Sequence, residues 1–165
     1  LMAKNKEEKT NVMRVLEQKK IAYTPHSYPH EEGVAVDGVT VAQSMGFDPA
    51  IVFKTLVARG ASKQYYVFDV PVAENLDLKK AAKAVGEKSI EMIHQKELLP
   101  LTGYVHGGCS PVGMKKLFPT VFHSSAENLA AMIVSAGKIG YQVETAPQAL
   151  IALVRADTAE LTIES

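Results

Sequence analysis

Residues 51–59 and 65–70 are the two most strongly β-patterned stretches of this chain, and only the short polar connection 60–64 lies between them. β-Branched and aromatic side chains dominate both stretches, with Gly60 ending the first and Pro71 the second, so the pattern predicts an antiparallel hairpin. Lys54 stands inside the first strand. Alternation puts it on one face with Val52, Leu56 and Ala58, and puts Phe53, Thr55 and Val57 on the other. Both faces are apolar, so the ammonium has no evident solvated side and needs a cavity, a carboxylate or a ligand. In that reading Lys54 holds an anionic or carbonyl oxygen or positions a bound substrate. The alternative is an edge strand whose lysine discourages sheet-to-sheet pairing.

The remaining elements follow from caps, breakers and periodicity. Thr10 is an N-cap for a helix with Val12, Met13, Val15 and Leu16 on its apolar face. Residues 21–24 read as extended and halted by Pro25, and 26–33 as a loop rich in histidine and carboxylate. Residues 40–45 form a short helix stopped by Gly46, and 77–86 a capped amphipathic helix ending at Gly86. A short strand at 90–93, a helical turn at 95–99 before Pro100, and strands at 120–123, 131–134 and 139–144 come next. Pro147 opens a last helix over 148–154. This order predicts a single α+β domain, residues 10–165, with a mixed, barrel-like sheet flanked by helices. Residues 1–9 are a polar, frayed or tag-derived leader, and Leu1 before Met2 reads as a remnant or an alternative start.

Composition narrows the function classes. At 165 residues with 47% hydrophobic and 22% charged residues, the chain can build one sizeable core. Eighteen basic and eighteen acidic side chains leave no global field for nucleic acid, so such a partner would need a local patch. The single cysteine, Cys109, excludes an internal disulfide and fits a reducing, cytoplasmic compartment. No apolar run approaches the ~20 residues of a membrane span.

The densest cluster of chain-bending residues lies in 103–116, where Gly107, Gly108, Ser110, Pro111 and Gly113 follow an extended segment and precede a basic, helix-like stretch. Such a loop lets backbone approach a ligand and line an oxyanion or phosphate pocket, or it is a tight connection and nothing more. It is not a Walker A loop, because Met114-Lys115 stands where Lys-Ser/Thr is required. Residues 135–140, Ser135-Ala136-Gly137-Lys138-Ile139-Gly140, are either a hairpin turn or a second wall of the same pocket. His26 and His30 are separated by Pro29, and no paired Cys-x-x-Cys occurs, so neither metal nor cofactor is expected. Cys109 with His106 does not form a recognised nucleophile pair. Lys79, Lys80, Lys83, Lys115, Lys116 and Lys138 could rim a phosphate-binding surface or simply be solvated.

Five blocks occur together: Phe53-Lys54-Thr55-Leu56, the 76–83 helix start, Thr102-Gly103-Tyr104, the 107–116 loop and the 135–140 turn. Their order and spacing from about Thr10 to the last helix resemble the YbaK/EbsC family of bacterial aminoacyl-tRNA deacylases, which clear cysteine mischarged onto proline tRNA. The editing domain of bacterial prolyl-tRNA synthetases is similar. The resemblance implies a pocket beside the central strand, with Lys54 as the essential lysine and Tyr28 as a pocket-side tyrosine. It also implies that Gly107, Gly108, Ser110 and Pro111 surround the aminoacyl group, with Ser135 and Gly137 lining the opposite side. Cys109 falls where relatives vary. Gln142 stands where some relatives carry aspartate, and Ala149 departs from a common acidic residue.

The implied function is removal of cysteine from Cys-tRNA(Pro), and from Cys-tRNA(Cys), by attack of the substrate's own thiol on its ester. Prolyl-tRNA synthetase is the implied partner in a ternary complex. Two other readings stand beside it: a non-catalytic module holding an aminoacyl or nucleotide group, and a deacylase of the same fold with another specificity such as alanine.

Overall fold

The computed structural model describes residues 9–164. The expected polar leader therefore lies outside the described residues except for Lys9. Helix α1 (Asn11–Gln18) begins where Thr10 accepts a hydrogen bond from the Met13 N–H at 3.2 Å, and it buries Val12, Met13 and Leu16. Strand β1 (Tyr23–Ser27) follows, then α2 (Gly38–Met45), capped by Asp37 and closed at Gly46. A 3-10 turn, Pro49–Ile51, leads into β2 (Phe53–Gly60) and β3 (Tyr65–Pro71), the predicted hairpin, with Lys54 opposite Val70. Helix α3 (Leu78–Val85), β4 (Ile90–Met92), α4 (Gln95–Thr102) and β5 (Thr120–His123) come next. Then follow β6 (Met132–Lys138), β7 (Tyr141–Thr145), α5 (Pro147–Val154) and β8 (Asp157–Ala159).

The strands form two sheets rather than a closed barrel. One has the order β1-β7-β6 and the other β4-β2-β3-β5-β8. They meet at one parallel bridge, Val52 to Ile133. The larger sheet is mixed, because β3–β5 and β5–β8 are parallel and the remaining pairs antiparallel. Phe53, Val57, Val67 and Phe122 join a core with α1, β6 and α5, whereas Ala58, Phe68, Val70 and Val121 pack against Ala81 and Ala82 of α3. Among the described residues no helix is long and apolar enough to cross a membrane.

Five expectations are corrected. Pro25 does not halt β1 but lies inside it opposite Val143, which an edge strand with a partner on one side only tolerates. Pro100 does not end α4; the helix runs on to Thr102, whose hydroxyl donates to the Leu98 carbonyl at 2.8 Å. The glycine loop follows this helix rather than an extended segment, and no helix forms at 114–116. Strand β6 extends through Lys138 by way of a bulge between Ser135 and Lys138, so the turn shrinks to residues 139–140.

Candidate functional site

Strand β2 is paired to β3 along its whole length, but its other edge is covered only in part. Val52 bridges β6, and the ladder to β4 resumes at Ala58. Residues Phe53, Lys54, Thr55 and Leu56 of the open stretch line a cavity of about 310 Å³. Lys54 thus does lie at a strand edge, but that edge is the wall of an internal cleft between the two sheets.

Lys54 is half-buried. Its ammonium donates to the Val72 carbonyl at 3.4 Å, and no carboxylate among the described residues reaches ion-pair distance. Burial lowers its pKa, and the Glu74 charge opposes that shift. Tyr28 reaches the same cavity from the end of β1 and is 4% exposed. Burial raises its phenol, against a backbone hydrogen bond from Gly140. Asp37, Gly38 and Val41 bring the first turn of α2 to the cavity, although both Asp37 oxygens are engaged by Thr40 in the cap.

The glycine loop and the β6–β7 turn abut, as two walls of one pocket would require. Gly107 lines the cavity at φ +90°, and a Cβ there would fall 2.7 Å from the Ala35 Cβ. A Cβ on Gly108 would fall 3.1 Å from the Ile139 backbone nitrogen. Ser135 lines the cavity and accepts a hydrogen bond from the Gly137 N–H at 3.0 Å. Gln142 stands opposite Ser135 across the β6–β7 ladder and also lines the cavity.

Not every expected side chain reaches the cavity surface. Gly108, Ser110 and Pro111 lie behind it; Ser110 is fully buried and accepts from the Val112 N–H at 3.3 Å. Gly137 occupies the β6 bulge, where a Cβ would meet the Tyr104 ring at 2.9 Å. These residues shape the loop and the bulge from within.

Cys109 and His106 both line the cavity. Burial, reinforced by the neighbouring Asp69 and opposed by a hydrogen bond with Thr102, pushes the Cys109 thiol up to about 12. A thiol so protonated is no nucleophile near neutrality. His26 meets Glu144 at 2.7 Å, and His30 meets the Tyr28 carbonyl at 3.0 Å. Among the described residues no three His, Cys, Asp or Glu side chains gather as metal ligands.

The sequence reading missed Asp69. It lies on β3 opposite Thr55, is 0% exposed, and accepts the Thr55 hydroxyl at 2.6 Å. Burial lifts its carboxyl to about 8, against the Thr55 hydrogen bond. A carboxylate inside the otherwise apolar strand 65–70 was the available signal, because hairpin register alone pairs it with Thr55.

Residues 33–153 match the model of the aminoacyl-tRNA editing domain. The chain belongs to this family. A relative from Enterococcus faecalis (strain ATCC 700802 / V583), named "Putative Cys-tRNA(Pro)/Cys-tRNA(Cys) deacylase EbsC", is 46% identical over 162 residues, covering 98% of each chain. Among solved structures, a "putative trans-editing enzyme for prolyl tRNA synthetase" superposes with a TM-score of 0.79 at 24% identity, covering 96% of this chain and 100% of that one. The "hypothetical protein APE2540" superposes with a TM-score of 0.82 at 17% identity, covering 93% and 100%. At these identities the structures share the editing-domain fold.

Proposed function

We propose that this chain is a trans-editing deacylase that removes cysteine from Cys-tRNA(Pro) and Cys-tRNA(Cys). The observation that carries this reading is the 46% identity, over 98% of both chains, to the relative named for that activity. The cavity is consistent with the chemistry. It offers a half-buried lysine, walls at Gly107 and Ser135, and a cysteine too protonated to attack an ester.

Without an enzymic nucleophile, the substrate's own thiol does the work. Its sulfur bonds to the ester carbonyl carbon, the carbon–oxygen bond to the ribose breaks, and the thiol proton ends on the ribose hydroxyl, releasing tRNA and a cyclic thiolactone. Lys54 stabilises the developing oxyanion, and the walls hold sulfur against carbonyl. Selectivity then comes from the thiol. Alanine is smaller than cysteine and cannot be kept out by size, but it has nothing with which to attack.

Affinity for tRNA has to be supplemented, because equal numbers of acidic and basic residues provide no attracting field. A ternary complex with prolyl-tRNA synthetase in the cytoplasm supplies it. The test is the release of cysteine, alanine and serine from tRNA(Pro) by wild type and Lys54→Ala. Loss of cysteine alone, slowed roughly a hundredfold or more by the substitution, is expected. Equal release of alanine would replace the specificity, and stoichiometric binding without release would make the chain a binding module.

A further inference from the structure

Thr55 and Asp69 form a polar couple at the cavity that thiol attack on the ester does not use. They face each other in the β2–β3 register, and the Thr55 hydroxyl donates to Asp69 Oδ1 at 2.6 Å. Thr55 lines the cavity, whereas Asp69 lies behind it at 0% exposure. Asp69 Oδ2 has no hydrogen-bond partner among the described residues.

A threonine hydroxyl has one proton, and here Asp69 takes it. Toward the cavity Thr55 therefore presents only lone pairs and can only accept. Lys54, which leaves β2 on the opposite face but also lines the cavity, can only donate. An aminoacyl ester carries both complementary groups, an accepting carbonyl and a donating ammonium. Burial favours the neutral form of Asp69 up to about pH 8, and a cation arriving beside it favours the carboxylate. We propose that Thr55 and Asp69 receive the α-ammonium of the aminoacyl group, Thr55 accepting its hydrogen bond and Asp69 acting from behind as positioning residue and counter-charge. This inference rests on reading the cavity as an aminoacyl site.

The experiment is calorimetric titration with two uncleavable probes, 3′-cysteinylamino-3′-deoxyadenosine and the same compound lacking the α-amine. Wild type is expected to bind the amine-bearing probe at least about tenfold more tightly, and Asp69→Asn to bind the two within about threefold of each other. The amine-free probe is expected to keep its wild-type affinity in the variant. Thr55→Val is expected to behave likewise, and it carries the test if Asp69→Asn melts below the titration temperature. Equal affinity of wild type for both probes, failure of wild type to bind either, or the same loss on both probes in the variants would overturn the assignment. Release of cysteine from Cys-tRNA(Pro) is scored separately. Amine-dependent binding without release would sink the deacylase reading and leave this inference standing.

Discussion

Gln142 and Ser135 face each other across the β6–β7 ladder, and both turn toward the cavity beside Lys54. Gln142 is 7% exposed, and its Oε1 has no hydrogen-bond partner among the described residues. An unsatisfied buried acceptor costs about 1–3 kcal/mol, so it is retained where a ligand satisfies it. Gln142→Met keeps the length and removes the acceptor. The expected result is a melting temperature equal to or above wild type, together with a fall in kcat/KM for Cys-tRNA(Pro) of about tenfold. A lowered melting temperature with unchanged kcat/KM would make Gln142 a structural residue only.

The close approach of the glycine loop to its surroundings predicts an asymmetric pair of variants. Gly107 and Gly33 have similar backbone angles, φ +90° and +76°, but an added Cβ meets Ala35 at the first and nothing within 4 Å at the second. Gly33→Ala therefore reports backbone strain alone, about 1 kcal/mol. Gly107→Ala adds displacement of the loop, and it should lower stability further and slow cleavage. Denaturant titration of the two variants reads the difference; equal destabilisation would show that the loop has room to move.

Asp69 predicts a pH dependence of stability. Its carboxyl rises from an ordinary 3.8 to about 8 in the folded chain. Between those values the folded state holds a proton that the unfolded state has lost, so the Asp69 contribution to stability is full below pH 4 and is lost as the pH rises toward 8. The slope is at most about 1.4 kcal/mol per pH unit. Subtracting the Asp69→Asn profile from the wild-type profile removes the histidines common to both, and Cys109 at about 12 lies outside the window. Thermal melts from pH 5 to 8.5 should show a falling difference; a difference that rises with pH would mean that Asp69 is ionised throughout.

Cys109 should be inert. With its thiol pushed from 9.0 to about 12, the thiolate fraction at pH 8 is roughly a thousandfold below that of an ordinary cysteine. Iodoacetamide should alkylate the native protein far more slowly than the same protein in urea, and prolonged exposure at pH 8 should leave cleavage intact. Rapid, inactivating alkylation would restore the thiol as a candidate nucleophile.

Legibility followed the range of the interactions. The caps at Thr10 and Asp77 and the β2–β3 hairpin were readable because each is decided within a few residues, by a side chain bonding the N–H two or three positions on or by a short turn. Strand β8 was not readable. Three residues of no marked β-propensity become a strand because β5 offers a parallel edge. Pro25 and Pro100 were misread for the same reason, since their cost depends on whether a neighbouring group needs the missing N–H.

The site divides along the same line. The sequence by itself determined that Lys54 sits in an apolar strand, that this strand and the next form a hairpin, and that the glycine-rich stretch from residue 103 bends as a loop. Only the tertiary structure decided that β2 is left open over residues 53–56, and that Tyr28, Gly107, Ser135 and Gln142 converge on the gap. A strand's own side chains determine its pleat and faces. Which of its edges stays unpaired depends on segments some 80 residues away, through contacts that no local pattern encodes.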